Sequence, residues 1–79
     1  MTLLELSVGQ IALVEGISLG HHGHGLKNRL EAMGIIPDKL IQVLRKAVLG
    51  GPLHLRVGST TEVALRRSEA QGILVSLDR

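Results

Sequence analysis

The chain has 79 residues, with nine Lys plus Arg against seven Asp plus Glu, and it contains no cysteine and no aromatic residue. A chain this short is expected to form one domain, residues 1–79, that buries only about two thirds of the surface its unfolded form exposes. Its core must therefore be filled by Leu, Ile, Val and Ala, with neither a disulfide nor a thiolate metal site to help. A net charge of +2 without a long basic run, and no Phe, Tyr or Trp ring for a base to stack on, argue against nucleic acid as the partner.

No apolar run approaches the roughly 20 residues that cross a bilayer, and Met1 is followed by Glu5 instead of a basic segment and a cleavable apolar stretch. The expectation is a cytoplasmic protein without direct membrane insertion.

In chain order, Thr2 and Glu5 have the spacing of a capping box, which predicts a single helical turn before Gly9 releases the chain and places that turn as a plug at one end of the core. Residues 10–15 read as a strand with apolar side chains on both faces, Ile11 and Leu13 on one and Ala12 and Val14 on the other. Residues 16–25, rich in glycine and carrying His21, His22 and His24, read as a loop. The stretch 26–37 reads as one short amphipathic helix with a built-in stop. Leu26, Leu30 and Met33 form one apolar stripe, Gly34 ends the helix in the left-handed conformation that lacks penalty only without a Cβ, Ile35 packs back onto Leu30, and Pro37 bars continuation.

Residues 39–46 alternate, with Ile41 and Val43 on one face and Leu40 and Leu44 on the other beside Gln42 and Lys46. Gly50, Gly51 and Pro52 predict a reversal into the strand 53–57, and Gly58 to Thr60 turns that strand into its hairpin partner, 61–66. Ser68 and Gln71 suggest a second capping box for a one-turn helix, after which Ile73, Val75 and Leu77 give the last strand. Five short strands with tight connections favour a small sheet that closes on itself through pairing of the first and last strands. The early helix and the one-turn helix before the last strand favour an SH3-like barrel over an OB-type one. The fold class is mostly β.

One set of residues spans most of the chain: Leu3, Leu6, Gly9, Ala12, Val14 and Ile17, then Leu30, Met33, Gly34, Ile35 and Pro37, then Ile41, Val43, Gly50, Pro52 and Leu53. It continues through Val63, Ala64, Leu65, Arg66, Arg67, Glu69 and Ala70 to Ile73 and Val75. In these residues and their spacing the chain resembles the FeoA family of small bacterial ferrous-iron-transport accessory proteins. The chain departs from the family pattern at Asp38, where Gly is usual, at Gly51, where Asp is usual, near Gly58, and in the histidine loop. The resemblance implies an SH3-like barrel, a cytoplasmic location and a role assisting FeoB, a membrane ferrous transporter with a cytoplasmic GTP-binding domain.

No nucleophile elbow, carboxylate pair, phosphate loop or dinucleotide glycine pattern is present, so no catalytic residue is assigned and the protein is expected not to be an enzyme. His21, His22 and His24 form a candidate site for a divalent transition metal such as Fe(II) or Zn(II), in which case the protein would be a metal-responsive SH3-like regulatory domain; the alternative is a polar loop that coordinates nothing. Leu13, Leu40, Leu44, Val48, Leu49 and Leu74 lie on a second apolar phase that a small barrel cannot wholly bury. With the helix covering part of it, the remainder nearest Leu44, Val48 and Leu49 is expected to contact a partner protein or a second copy of this chain. Gly34 and Pro37 are assigned a structural turn.

Overall fold

The computed structural model describes residues 1–18 and 23–77, and for Gly23 and His24 the backbone only. After a 3-10 turn at Leu3–Glu5, the chain runs β1 (Ile11–Ile17), α1 (Gly23–Ala32), β2 (Leu40–Lys46), β3 (Leu53–Val57), β4 (Thr61–Leu65), α2 (Arg67–Ala70) and β5 (Ile73–Leu77). The strands form one antiparallel sheet in the order β4-β3-β2-β1-β5.

The first and last strands do pair, Val14 opposite Val75 and Ile17 opposite Ile73. That pairing adds β5 at one edge and does not join it to β4, so the expected closure into a continuous ring is corrected to an open SH3-like sheet. Residues 1–2 protect part of the free side of β5, where the Val75 N–H donates to the Met1 carbonyl at 2.8 Å and Thr2 bridges Leu74. Thus one of the two edges is blunted by the chain's own start.

One face of the sheet carries Ala12, Val14, Ile41, Val43, Leu53, Leu55, Leu65, Ile73 and Val75, all buried. Leu3 and Leu6 from the 3-10 turn, Leu26 and Leu30 from α1, and Ala70 from α2 join the same core, with Met33 and Val63 partly buried against it. The 3-10 turn is held as its spacing predicts, because the Thr2 N–H donates to Glu5 Oε1 at 2.6 Å. α1 ends in a Schellman motif: the Gly34 N–H donates to the Glu31 carbonyl and the Ile35 N–H to the Leu30 carbonyl, both at 3.0 Å, with Gly34 at φ 89°. Pro37 and Asp38 then occupy the centre of a turn closed by the Lys39 N–H on the Ile36 carbonyl at 3.2 Å.

Four expectations need correction. Residues 16–25 are not all loop, for β1 runs on to Ile17 and α1 begins at Gly23. Gly16 and Ile17 find partners in Leu74 and Ile73 after a register shift between Val14 and Gly16, and tertiary pairing of this kind overrides glycine's weak strand propensity. α2 is capped two residues earlier than predicted: Arg66 is the cap residue, and its N–H donates to Glu69 Oε1 at 3.0 Å, which leaves Ser68 inside the helix. In β2 the register shifts between Val43 and Arg45, so Leu44 is a bulge residue and Lys46, opposite the buried Leu53, moves to the core phase with its Nζ donating to the Leu4 carbonyl at 3.1 Å. Finally, α1 turns its stripe into the single core and does not cover the second apolar phase. Ile11, Leu40 and Leu74 stay exposed, and Leu13 and Leu44 are half-buried.

Candidate functional site: the β2–β3 hairpin tip

The connection between β2 and β3 displays the most exposed apolar side chains of the described residues. Val48 is 81% exposed and Leu49 101%. The turn spans residues 48–51, closed by the Gly51 N–H on the Val48 carbonyl at 3.2 Å, with the Ala47 N–H on the Pro52 carbonyl at 3.0 Å beneath it. Its two central residues are Leu49 and Gly50, at φ 59° and 77°.

Positive φ at both central positions is the pattern of a type I′ turn, whose twist matches that of the flanking strands and which normally carries Asn-Gly or Asp-Gly. A leucine there costs about 1–2 kcal/mol of backbone strain. It also places a large apolar group wholly in water, so residue choice at position 49 runs against both local conformation and solubility.

The loop is braced from outside the hairpin. Arg67 in α2 donates from Nε to the Gly51 carbonyl at 3.0 Å and through Nη2 to the Ala47 carbonyl at 3.1 Å. One planar guanidinium thus ties both ends of the turn to the body of the protein, using the fork geometry that lysine lacks. Gly51 fits tightly under this brace: a Cβ on it would lie 2.7 Å from the Cβ of Ala47. Both features favour this one turn geometry.

Of the three predicted contact residues, Val48 and Leu49 stand together at the apex, whereas Leu44 lies back along β2 at its bulge and is half-buried. His24 falls in the backbone of α1, while His21 and His22 lie outside the described residues. Among the described residues there is no cluster of three or more metal-capable side chains, and the candidate histidine site lies on the part of the chain to which that observation does not extend. His54, half-buried, stands opposite Arg45.

Arg67 and Gly51 were not identified from the sequence as parts of this site. Gly50, Gly51 and Pro52 signal a reversal, but the reversal centres one residue earlier because Leu-Gly carries no turn signature of its own. Three of the described carboxylates are engaged in holding the fold: Glu69 pairs with Arg29, Glu62 with Arg56 at 3.2 Å, and Glu5 holds the Thr2 N–H. What the arrangement offers chemically is a rigid apolar contact. No helix of the described residues is long and apolar enough to cross a membrane.

Residues 1–77 match the FeoA domain family. Among solved structures the chain is similar to Stenotrophomonas maltophilia FeoA complexed with zinc, at 34% identity over 96% of this chain and 89% of that one, with a TM-score of 0.82. That relative is described as a prokaryotic SH3-domain protein and a candidate activating factor of bacterial ferrous iron transport. It is also similar to Chlorobium tepidum FeoA, at 31% identity over 98% of this chain and 70% of that one, with a TM-score of 0.84. A manganese-dependent transcriptional repressor in complex with manganese shares the fold alone, at 23% identity and a TM-score of 0.87 over 98% of this chain and 36% of the repressor. No curated protein sequence matches the chain.

Proposed function

The chain belongs to the FeoA family, linked to ferrous iron transport, and from that premise we propose that it is a non-enzymatic cytoplasmic accessory module, a single domain over residues 1–79, that binds the cytoplasmic GTP-binding part of a FeoB-type membrane transporter. The contact is made by the β2–β3 hairpin through Val48 and Leu49, with Leu44 behind them.

The observation that carries this reading is the state of Leu49, fully exposed at positive φ in a turn that Arg67 braces. A side chain that costs backbone strain and contributes nothing to the core has its use outside the molecule. Because the loop is already ordered, docking loses little conformational entropy. Pull-down of the isolated GTP-binding portion by this protein tests the proposal. Retention that disappears with Leu49→Asn is the expected result, and no retention at high protein concentration refutes it.

A second reading is favoured by the zinc complex of the Stenotrophomonas maltophilia relative. In it the domain responds to a transition metal, Fe(II) or Zn(II), held by His21, His22 and His24. Neutral imidazoles suit these ions, with any remaining ligand coming from elsewhere. Calorimetric titration with either metal, before and after replacing the three histidines by Ala, decides this reading. Unchanged heats after the replacement would remove it.

A further inference from the structure

The two densest basic spots of the chain, Arg45 with Lys46 and Arg66 with Arg67, are brought to the same end of the sheet. Lys46 lies opposite Leu53, and Leu53 lies opposite Leu65, so the end of β2 and the start of α2 lie at the same end of the sheet as the β2–β3 turn. No carboxylate occurs anywhere in residues 39–57. Glu69, the acid nearest in sequence to Arg66 and Arg67, is buried, with one oxygen on the Arg66 N–H and the other on Arg29.

The four cations divide into two pairs by role. Lys46 and Arg67 donate to backbone carbonyls, Lys46 to that of Leu4 in the 3-10 turn and Arg67 to those of Gly51 and Ala47 at the loop. Arg45 and Arg66 are exposed, and neither takes part in an ion pair among the described residues.

We infer that the hairpin tip is an apolar plug with a basic collar, and that its receptor is a protein pocket with an apolar floor and a rim of carboxylates. This rests on the protein-docking reading above and specifies the chemistry of the partner. Two apolar side chains make a small contact, too small to supply specificity by area alone, so an oriented ring of like charge would select the partner and speed its encounter. A second copy of this chain fits poorly, because a symmetric tip-to-tip contact sets Arg45 and Arg66 against their own counterparts.

The test uses the isolated GTP-binding portion of the transporter as probe and follows association and dissociation separately at low and high salt. Expected are a fall in association rate of about tenfold or more at high salt, and a fall of roughly threefold to tenfold for each of Arg45→Glu and Arg66→Glu at low salt, with dissociation little changed. Leu49→Asn is expected to act mainly on dissociation.

Both arginines are exposed, so the variants should keep the parent's circular dichroism, which separates loss of contact from loss of fold. Binding that ignores salt and both charge reversals overturns the carboxylate rim and leaves protein docking standing. Absence of binding by the unaltered chain overturns both. Self-association seen by light scattering and abolished by Leu49→Asn assigns the tip to a second copy and likewise overturns the inference.

Discussion

Glu69 in α2 and Arg29 in α1 form an ion pair in which the carboxylate is buried and the guanidinium is more than half exposed, with side-chain exposures of 6% and 57%. The second oxygen of Glu69 caps its own helix by accepting from the Arg66 N–H. A single side chain thereby joins two helices and starts one of them. Removing Arg29 leaves a buried charge with one backbone donor. Arg29→Ala should therefore cost about 1–2 kcal/mol, less than a fully buried pair would because solvent already reaches the arginine.

Glu69→Gln keeps an oxygen for the cap but loses the ion pair, so it should be milder than Glu69→Ala, which loses both. Thermal unfolding followed by far-UV circular dichroism measures the order; the chain has no aromatic residue to report by fluorescence. Equal midpoints for the two Glu69 variants would show that the cap contributes nothing.

Asp38 and Gly34 are both at positive φ, 72° and 89°, and they predict opposite outcomes on substitution. Asp38→Gly relieves an exposed residue from an unfavourable backbone region and should stabilise by about 1 kcal/mol, which raises the midpoint by roughly 4–8 °C in a domain of this size. Gly34→Ala should destabilise by about 1–2 kcal/mol. A Cβ there meets only Val57 Cγ1 at an ordinary 3.7 Å, so its cost is conformational and not steric. Paired melting curves check both signs.

Leu49→Asn separates stability from contact. Asn accepts the left-handed conformation more readily than Leu and replaces an exposed apolar side chain, so the variant should be more stable by roughly 0.5–1 kcal/mol while losing the partner. Chemical denaturation alongside pull-down measures the two together. A variant that is less stable than the parent would mean that Leu49 packs on the body of the domain.

Arg67→Ala removes the two hydrogen bonds that brace the turn. Amide exchange at Ala47 and Gly51 should accelerate by at least about tenfold, while core amides such as that of Leu55 slow or speed only with the global stability. Arg67→Lys should restore the charge but not the two-carbonyl geometry, and so should leave the loop loosened. Protection unchanged in Arg67→Ala would assign the ordering of the loop to its own turn.

The sequence was most legible where one local rule acted alone. β3 is where its alternation placed it, with Leu53, Leu55 and Val57 buried, and the stop at Gly34 has the hydrogen bonds its glycine promised. It misled where a local signal met a stronger distant one. Glycine at 16 reads as a breaker, yet Leu74 lies opposite it in the sheet; Ser68 reads as a cap, yet Glu69 holds the Arg66 N–H from inside the helix. The candidate site followed the same division. Excess apolar surface around Leu44, Val48 and Leu49 could be counted from the pattern, whereas the bulge that sets Leu44 apart depends on the pairing with β3.

By itself, then, the order of residues determined the strand count, the helix stop and the aliphatic core, because each follows from side-chain periodicity or a local backbone preference, while the family showed only as a resemblance carried by particular motif residues. Only the tertiary structure decided that the sheet stays open, that Arg67 reaches back to carbonyls at positions 47 and 51, and that two basic pairs far apart in the chain come to the same end of the sheet as one apolar tip. Those relationships join residues distant along the chain. Their energies depend on strand register and close approach, which no local pattern contains.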